Sequence, residues 1–331
     1  MPIRWSAGCS KPCRSGDRVG ATRTLSPSAI AALDDLELAA RLVVEGARSG
    51  RHRSPFHGFT AEFSQHRPYR PGDDLKYLDW KILGRTDRLY SRRFRETTNV
   101  SVMLVPDASA SMDFPAGPAG PEDPISKFRY AVVIAAALAH VIVGQGDNVG
   151  LIAMRGDRFV YLPPKGGRLH LRALFAMLAK LEAGGPWQLD RALARGGELL
   201  RRRGVIVGIS DFYDATDAAF GQLRRIARRG HDVALLQVLS PEEMAFPYSG
   251  TLEFEGLETG ERRVLDAGGA AAGYRDAMAA FLARCRTQAF RDGHDYVLMP
   301  TNVAPERALR SYLLRRAAAS RAVSGARPGL G

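Results

Sequence analysis

Three side chains whose oxygen atoms could bind a metal ion follow a short apolar segment of the chain. Val100–Val105 is rich in β-branched residues and predicts a buried strand, which Pro106 ends. Asp107, Ser109 and Ser111 then alternate along the next loop. One carboxylate and two hydroxyls are hard ligands, which suit Mg²⁺ or Ca²⁺ better than zinc. A loop that only caps the following segment would use the same residue types, so a structural role stays open.

A second group of candidates lies in residues 51–96, a segment dense in charged and aromatic residues without a long periodic pattern. Pro71-Gly72 predicts a turn. The candidate residues around it are Arg67, Tyr69, Arg70, Asp73, Asp74, Asp79, Trp80 and Arg85. They could form an ion-pair network that holds a small subdomain on the main sheet, or a surface for a partner protein. A nuclease-like acidic site with Asp73, Asp74 and Lys76 ranks last, because no second carboxylate follows an adjacent strand in the expected order.

The composition indicates a globular chain with a basic surface. The 331 residues are 45% hydrophobic and 25% charged, and the formal net charge is +12. The arginines are scattered rather than gathered, so a solvated basic surface is favoured over a dedicated nucleic-acid groove, and peripheral contact with an anionic membrane stays open. The three cysteines form no disulfide or metal pattern, which favours a reducing compartment, and we expect a cytoplasmic protein.

No segment is predicted to cross a membrane. The most apolar run, Tyr130–Val143, has about 14 residues, fewer than the roughly 20 that a bilayer requires. It also contains His140, and we interpret it as a buried helix.

Apolar strands alternate with helices along most of the chain. The strands are predicted at Val100–Val105, Asn148–Arg155, Arg158–Leu162, Gly204–Ile209, Val233–Leu239 and Tyr296–Met299. This alternation predicts an α/β fold with a mostly parallel, doubly wound, Rossmann-like sheet covered by helices on both faces. A small N-terminal helix and the charged, aromatic segment would form a subdomain beside it.

Four regions follow from this pattern. Residues 1–24 are expected to be a disordered leader, and residues 25–97 to contain the charged segment and a helix with Ser26 as N-cap, Pro27 at its first position and Gly46 just beyond its end. Residues 98–317 would form the α/β domain, and residues 318–331 a loose tail.

Two motifs of the chain resemble known families. The D-x-S-x-S loop at Asp107, together with Asp211 in ISDFYD after a later strand, resembles the metal-ion-dependent adhesion site of von Willebrand factor A domains. A second motif is the block RPYRPGDDLKYLDWKILGRTDRLYSRRFRE, which is followed by the strand Val100–Val105 and by DASASM. It resembles the bacterial domain of unknown function 58. The resemblance covers roughly residues 58–299.

The resemblance implies a von Willebrand factor A-like fold and a specific metal site. Asp107, Ser109 and Ser111 would be the first loop, Asp211 the distal aspartate, and Mg²⁺ the expected ion. Both loops would open into one crevice if their strands are sheet neighbours. The position of the family's threonine holds Trp187, which has no oxygen to offer a cation, so the site is partly degenerate.

The resemblance also implies a function and partners. The leading hypothesis is a non-enzymatic adaptor that works with a MoxR-type AAA+ ATPase, and with other von Willebrand A-type proteins, in protein assembly or remodelling. One alternative is a metal-dependent hydrolase that uses Asp73, Asp74 and Asp79, although the G-x-S-x-G, phosphate-loop and His/Cys patterns of enzymes do not occur. The other alternative is a basic surface that binds nucleic acid or an anionic membrane.

Overall fold

The computed structural model describes residues 3–5, 27, 33, 35–47, 61–69, 80–96, 100–115, 124–155, 158–186, 189–200 and 202–325. Its strands are β1 (Ile3–Trp5), β2 (Ala61–Pro68), β3 (Tyr90–Glu96), β4 (Ser101–Pro106), β5 (Asn148–Arg155), β6 (Arg158–Lys165), β7 (Gly204–Ser210), β8 (Asp232–Leu239), β9 (Thr251–Gly256), β10 (Arg262–Asp266) and β11 (Asp295–Pro300). Its helices are α1 (Leu36–Ala47), α2 (Trp80–Thr86), α3 (Lys127–Gly144), α4 (Arg168–Ala179), α5 (Leu189–Leu199), α6 (Asp217–Arg228), α7 (Pro241–Ala245), α8 (Ala267–Arg291) and α9 (Pro305–Gly325).

Six strands form the main sheet in the order β11-β8-β7-β4-β5-β6. All neighbouring pairs are parallel except the hairpin β5–β6 at one edge. The sequence prediction of a mostly parallel α/β sheet is confirmed, and the strands predicted at Asn148–Arg155 and Arg158–Leu162 form the antiparallel pair β5–β6. Two smaller sheets lie outside it, the pair β2–β3 and the three-stranded sheet β1-β9-β10.

The main sheet is covered on both faces because its central strands are almost continuously apolar and bury side chains on both sides. Along β4, Val102 and Leu104 join a core cluster with α1, α3, α4 and α9. Met103 and Val105 point to the opposite face and join a second cluster with α5, α6 and α8. This alternation follows the two-residue period of a strand, and it makes the sheet doubly wound.

Helix α3 is the centre of the first layer. Ser126 caps it by accepting a hydrogen bond from the backbone N–H of Arg129. Among the described residues, α3 is the one helix that is long and apolar enough to cross a membrane, yet most of its residues are buried inside the fold. It packs there against α1, α4 and α9, as the sequence prediction of a buried helix expected.

The structure corrects part of the prediction for the N-terminal helix: Pro27 is helical as expected, but Leu33 and Asp35 are not. α1 begins at Leu36, where the Asp35 carboxylate accepts hydrogen bonds from the N–H groups of Glu37 and Leu38. Ser26 lies outside the described residues. Gly46 lies inside the helix rather than beyond it. A Cβ at this position would stand 3.0 Å from Cγ of Glu306 on α9. The glycine therefore marks a close helix–helix approach.

The two chain ends also differ from the expected leader and tail. β1 lies within residues 1–24 and pairs antiparallel with β9, a contact across about 250 residues of sequence that three residues alone cannot signal. The rest of that region lies outside the described residues. α9 continues to Gly325, whereas residues 318–331 were expected to be loose. Its last turns are rich in alanine and arginine, which have high helix propensity.

A glycine at the start of β7 sets how closely β7 can approach β4. A Cβ on Gly204 would lie 2.3 Å from the carbonyl oxygen of Ser101, a backbone atom that cannot move aside.

We predict that Gly204→Ala lowers the free energy of unfolding by about 1–3 kcal/mol, because the added methyl group forces the two central strands apart. Gly84→Ala is the matched control, since nothing lies within 4 Å of its Cβ position. Urea denaturation measures both. Equal unfolding midpoints for the two variants would contradict this account of the strand pair.

Candidate functional site

The two loops that carry Asp107 and Asp211 leave the same edge of the sheet. β4 and β7 are parallel neighbours, with Pro106 opposite Ile209. The backbone N–H of Asp107 donates to the carbonyl oxygen of Ile209 over 2.8 Å, so the pairing continues into the loop. Both aspartates are buried. The expected convergence of the loops at the carboxyl ends of the strands is therefore present.

Asp107 is held by hydrogen bonds to both of its carboxylate oxygens. The N–H of Ser109 donates to Oδ1 over 2.8 Å, and the hydroxyl of Ser210 donates to Oδ2 over 2.5 Å. Burial, together with the nearby charge of Asp211, raises the pKa of Asp107 to about 8. The site therefore favours a proton or another positive charge at Asp107.

The two serines of the loop point toward one another. Their hydroxyl oxygens are 2.8 Å apart, and both residues are buried. A neighbouring segment holds the loop, because the N–H of Gly184 donates to the carbonyl of Ala108 and the N–H of Ala110 donates to the carbonyl of Gly185. Trp187, the residue at the expected threonine position, lies outside the described residues.

A buried lysine that the sequence reasoning missed completes the site. The Nζ atom of Lys127 lies 2.8 Å from Oδ2 of Asp211 and 2.6 Å from Oε1 of Glu243, and 4.9 Å from the ring centroid of Tyr213. Burial alone would lower the pKa of Lys127, but the two carboxylates outweigh that effect and raise it. The ammonium therefore stays charged inside the protein, paired with two anions.

Local structure explains how these partners reach Lys127. Lys127 is the first residue of α3, directly after the Ser126 cap. Glu243 belongs to a capping box at the start of α7, where its carboxylate accepts from the N–H of Ser240 and its own N–H donates to the Ser240 hydroxyl. The sequence offers only a lysine at the head of a largely apolar helix, which does not by itself indicate a buried ion pair.

One more carboxylate lies at the site, in the turn between β9 and β10. Glu258, in this turn, is half-buried. Burial raises the pKa of Glu258 to about 7, and the nearby charges of Asp214 and Asp211 add to this effect. The sequence predictions did not include this residue.

The donor set fits a divalent ion held mainly by the first loop. Two neighbouring ligands of an octahedral Mg²⁺ stand about 3.0 Å apart, close to the 2.8 Å between the two serine hydroxyls. Asp107 supplies the carboxylate. Asp211 already accepts from Lys127 on Oδ2 and from the N–H of Tyr213 on Oδ1. Within the described ranges, no group of three or more His, Cys, Asp or Glu side chains could hold a metal, so a site here needs the hydroxyls.

The structure places only part of the charged, aromatic block. Arg67 lies in β2, Tyr69 follows that strand with its N–H donating to the carbonyl of Leu89, and Arg85 lies in the last turn of α2. Trp80 lies at the surface and is 66% exposed. Arg70, Asp73, Asp74 and Asp79 lie outside the described residues. The hydrolase alternative and the predicted ion-pair network therefore stay predictions.

The comparison with protein families gives a match over most of the chain. Residues 65–288 match the family described as protein of unknown function DUF58. The uncharacterized protein Rv1480 of Mycobacterium tuberculosis is 32% identical over 237 residues, which cover 71% of this chain and 72% of that protein. The uncharacterized protein Mb1516 of Mycobacterium bovis matches equally well.

Solved structures match this chain at low sequence identity and with low TM-scores. An aerotolerance-related membrane protein from Bacteroides fragilis is 18% identical, with a TM-score of 0.43 over 65% of this chain and 99% of that chain. A von Willebrand factor type A structure from Catenulispora acidiphila is 13% identical, with a TM-score of 0.37 over 69% of this chain and 43% of that chain. The sheet order and the placement of the two loops carry the fold assignment here.

We predict that Lys127→Met lowers the free energy of unfolding by about 3–5 kcal/mol, because it leaves two buried carboxylates without their counter-charge. Lys180→Met, at the exposed C-terminal end of α4, is the matched control. Adding Asp211→Asn to Lys127→Met restores part of the loss, since one of the unpaired charges is removed. A Lys127→Met protein that unfolds in urea at the same midpoint as Lys180→Met would contradict the ion cluster.

The raised pKa of Asp107 predicts a pH dependence of stability. Between about pH 4 and pH 8 the folded protein binds a proton at Asp107 that the unfolded chain has released, so this residue lowers stability progressively as pH rises through that window. Asp107→Asn removes the effect. In metal-free buffer we expect the stability of the variant relative to the wild type to rise from pH 5 to pH 8 in urea denaturation, and a difference that falls with pH would contradict the assignment.

Proposed function

We propose that this chain, which belongs to the DUF58 family of proteins of unknown function, is an interaction module that docks an acidic group of a partner protein at the crevice formed by Asp107, Ser109 and Ser111. The observation that carries the proposal is the meeting of the two loops at the carboxyl ends of β4 and β7. There the Ser210 hydroxyl donates to Asp107, and Asp211 is buried in the second loop. Fold alone does not fix a function, so the argument rests on these side chains.

Each residue of the crevice has a distinct part in this proposal. Asp107, Ser109 and Ser111 would hold Mg²⁺, which when bound supplies a Lewis-acid position that a carboxylate can complete. Lys127 pairs with both Asp211 and Glu243, which reduces the cost of burying these two carboxylates. Asp211 is thereby fixed in orientation beside the loop. These residues bind and orient, and no bond-breaking step is assigned to them.

The proposed partner is a MoxR-type AAA+ ATPase, and the proposed task is the assembly or remodelling of other proteins. The resemblance of the charged block and of the D-x-S-x-S loop supports this choice. We also propose a cytoplasmic protein whose basic surface makes peripheral contact with anionic membranes. The formal charge of +12 and the basic residues Arg225 and Arg228 in the last turn of α6 support such contact.

Capture of the ATPase tests the docking site. With immobilised wild-type chain and a purified MoxR-type ATPase in Mg²⁺ buffer, we expect Ser111→Ala and Asp107→Asn to reduce the captured amount about tenfold, which corresponds to roughly 1.4 kcal/mol of binding free energy. Asp276→Ala, on the exposed face of α8, is the control and should capture as the wild type does. Both site variants must first show a wild-type circular dichroism spectrum. Undiminished capture by both folded variants would contradict docking through this crevice.

A further inference from the structure

The solvent-facing side of α4 carries apolar and basic residues and no acidic one. Its exposed positions are Arg168, Leu169, Arg172, Ala173, Ala176 and Ala179. The opposite side packs into the first core cluster, to which Leu174 and Phe175 belong. Surface helices of globular proteins ordinarily carry charges of both signs on their outer face, whereas helices that lie on anionic membranes carry arginine or lysine beside leucine. The outer face of α4 has the second composition.

Leu169 is the most exposed large hydrophobic residue of the described chain, at 83%. It lies in the first turn of α4, shortly after the exposed pair Gly166-Gly167. Because a helix turns once in 3.6 residues, Leu169 points to the side opposite Leu171, which is buried. A single exposed leucine needs no explanation, but this one lies between two arginines, and Lys165 precedes the glycines. The start of α4 therefore combines an apolar tip with a basic rim.

The start of α4 lies at the edge of the main sheet opposite the crevice. β6 ends at Lys165, which pairs with Val149 near the start of β5. His170 holds α4 there, since its Nε2 donates to the carbonyl oxygen of Val149 over 2.7 Å. β5 is parallel to β4, so its start lies at the amino ends of the parallel strands, whereas Asp107 and Asp211 follow the carboxyl ends of β4 and β7. A surface at this edge can therefore be occupied while the crevice binds a partner.

Two of these basic residues also line a cleft. Arg168 and Arg172 face a cleft of about 420 Å³ between α4 and α1, on whose other side lie Glu37, Arg41 and Glu45. Glu37 is paired with Arg41 over 2.6 Å, whereas no ion pair among the described residues includes Arg168 or Arg172. Like charges one helical turn apart repel each other, so an anion between the two guanidinium groups is favourable. Because guanidinium groups match the oxygen geometry of phosphate, the mouth of the cleft suits a phosphate group.

We propose that the start of α4 is the surface through which this protein contacts anionic membranes, with Leu169 entering the hydrocarbon boundary and Lys165, Arg168 and Arg172 meeting the phosphates of the lipid headgroups. The inference rests on the proposed membrane contact, and it names the residues that make it. One leucine and three cations give weak, reversible binding that falls with salt, because apolar burial and electrostatic attraction each supply part of it. Since the crevice lies at the opposite edge of the sheet, this orientation leaves it open to a soluble partner.

Sedimentation of the full chain with lipid vesicles tests the basic part of the surface. For vesicles of phosphatidylcholine and phosphatidylglycerol at low salt, we expect Arg168→Gln/Arg172→Gln to lower the partition coefficient about thirtyfold, since each cation near an anionic surface contributes about fivefold. Arg225→Gln/Arg228→Gln removes the same charge from the exposed end of α6 and is the matched control. It should stay within about twofold of the wild type, because the surface potential falls off within a Debye length. An equal loss in both variants would overturn the assignment to α4.

A serine substitution tests the insertion of the leucine. We expect Leu169→Ser to lower the partition coefficient for the same vesicles about tenfold, because the burial of a leucine side chain in apolar surroundings is lost. Leu314→Ser, at an exposed position of α9, is the matched control and should bind as the wild type does. Both leucines are exposed, so neither change alters the core. Equal binding by the wild type and Leu169→Ser would overturn the insertion.

The outcomes separate this inference from the proposed function. Vesicle binding that both α4 variants leave unchanged would overturn this surface, while membrane contact through another face would stand. A wild type that binds no vesicles, or binds phosphatidylcholine alone equally well, would overturn the proposed membrane contact as well. Displacement from the vesicles by millimolar glycerol phosphate would assign Arg168 and Arg172 to a soluble anion and would overturn the inference too. Capture of the ATPase that depends on Ser111 would, in every case, leave the docking function standing.

Discussion

The candidate site depends on one buried ammonium group. Lys127 lies at the head of the central helix and pairs with Asp211 from the end of β7 and with Glu243 from α7. Three elements that are far apart in sequence are thereby fixed at one edge of the sheet. A buried pair of this kind adds little net stability compared with apolar packing, but it is costly to break, so it specifies where each of these residues must lie.

Around this group the crevice separates its charges into two parts. One part has an internal counter-charge, because Lys127 pairs with both Asp211 and Glu243. The other part is Asp107 with the hydroxyls of Ser109 and Ser111, where burial and the nearby charge of Asp211 raise the pKa of the Asp107 carboxyl. The hydroxyl spacing of 2.8 Å suits a small divalent ion at that place. In the proposed account, a metal and a partner's carboxylate complete this second part.

The strands and the first loop could be predicted from the sequence because their signals are local. β4 and β7 are continuous apolar runs, and Asp107 and Asp211 follow them directly, so parallel pairing was sufficient to bring them together. Lys127 could not be predicted, since a lysine at a helix start is ordinarily solvated and only tertiary packing buries it. Glu258 was missed for the same reason, because a glutamate between two glycines is typical of an exposed turn. β1 needed a partner about 250 residues away, which no local pattern reveals.

The central claim is that Asp107, Ser109 and Ser111 form one divalent-ion site at the meeting point of two loops. Isothermal titration calorimetry with Mg²⁺ tests it directly, with wild type, Ser109→Ala/Ser111→Ala and, as a control, Glu261→Gln between β9 and β10. The account predicts one ion per chain for the wild type and for the control, and loss of binding in the double serine variant while its fold is retained. Binding that is unchanged in the double serine variant, or a wild type that binds no Mg²⁺, would contradict it.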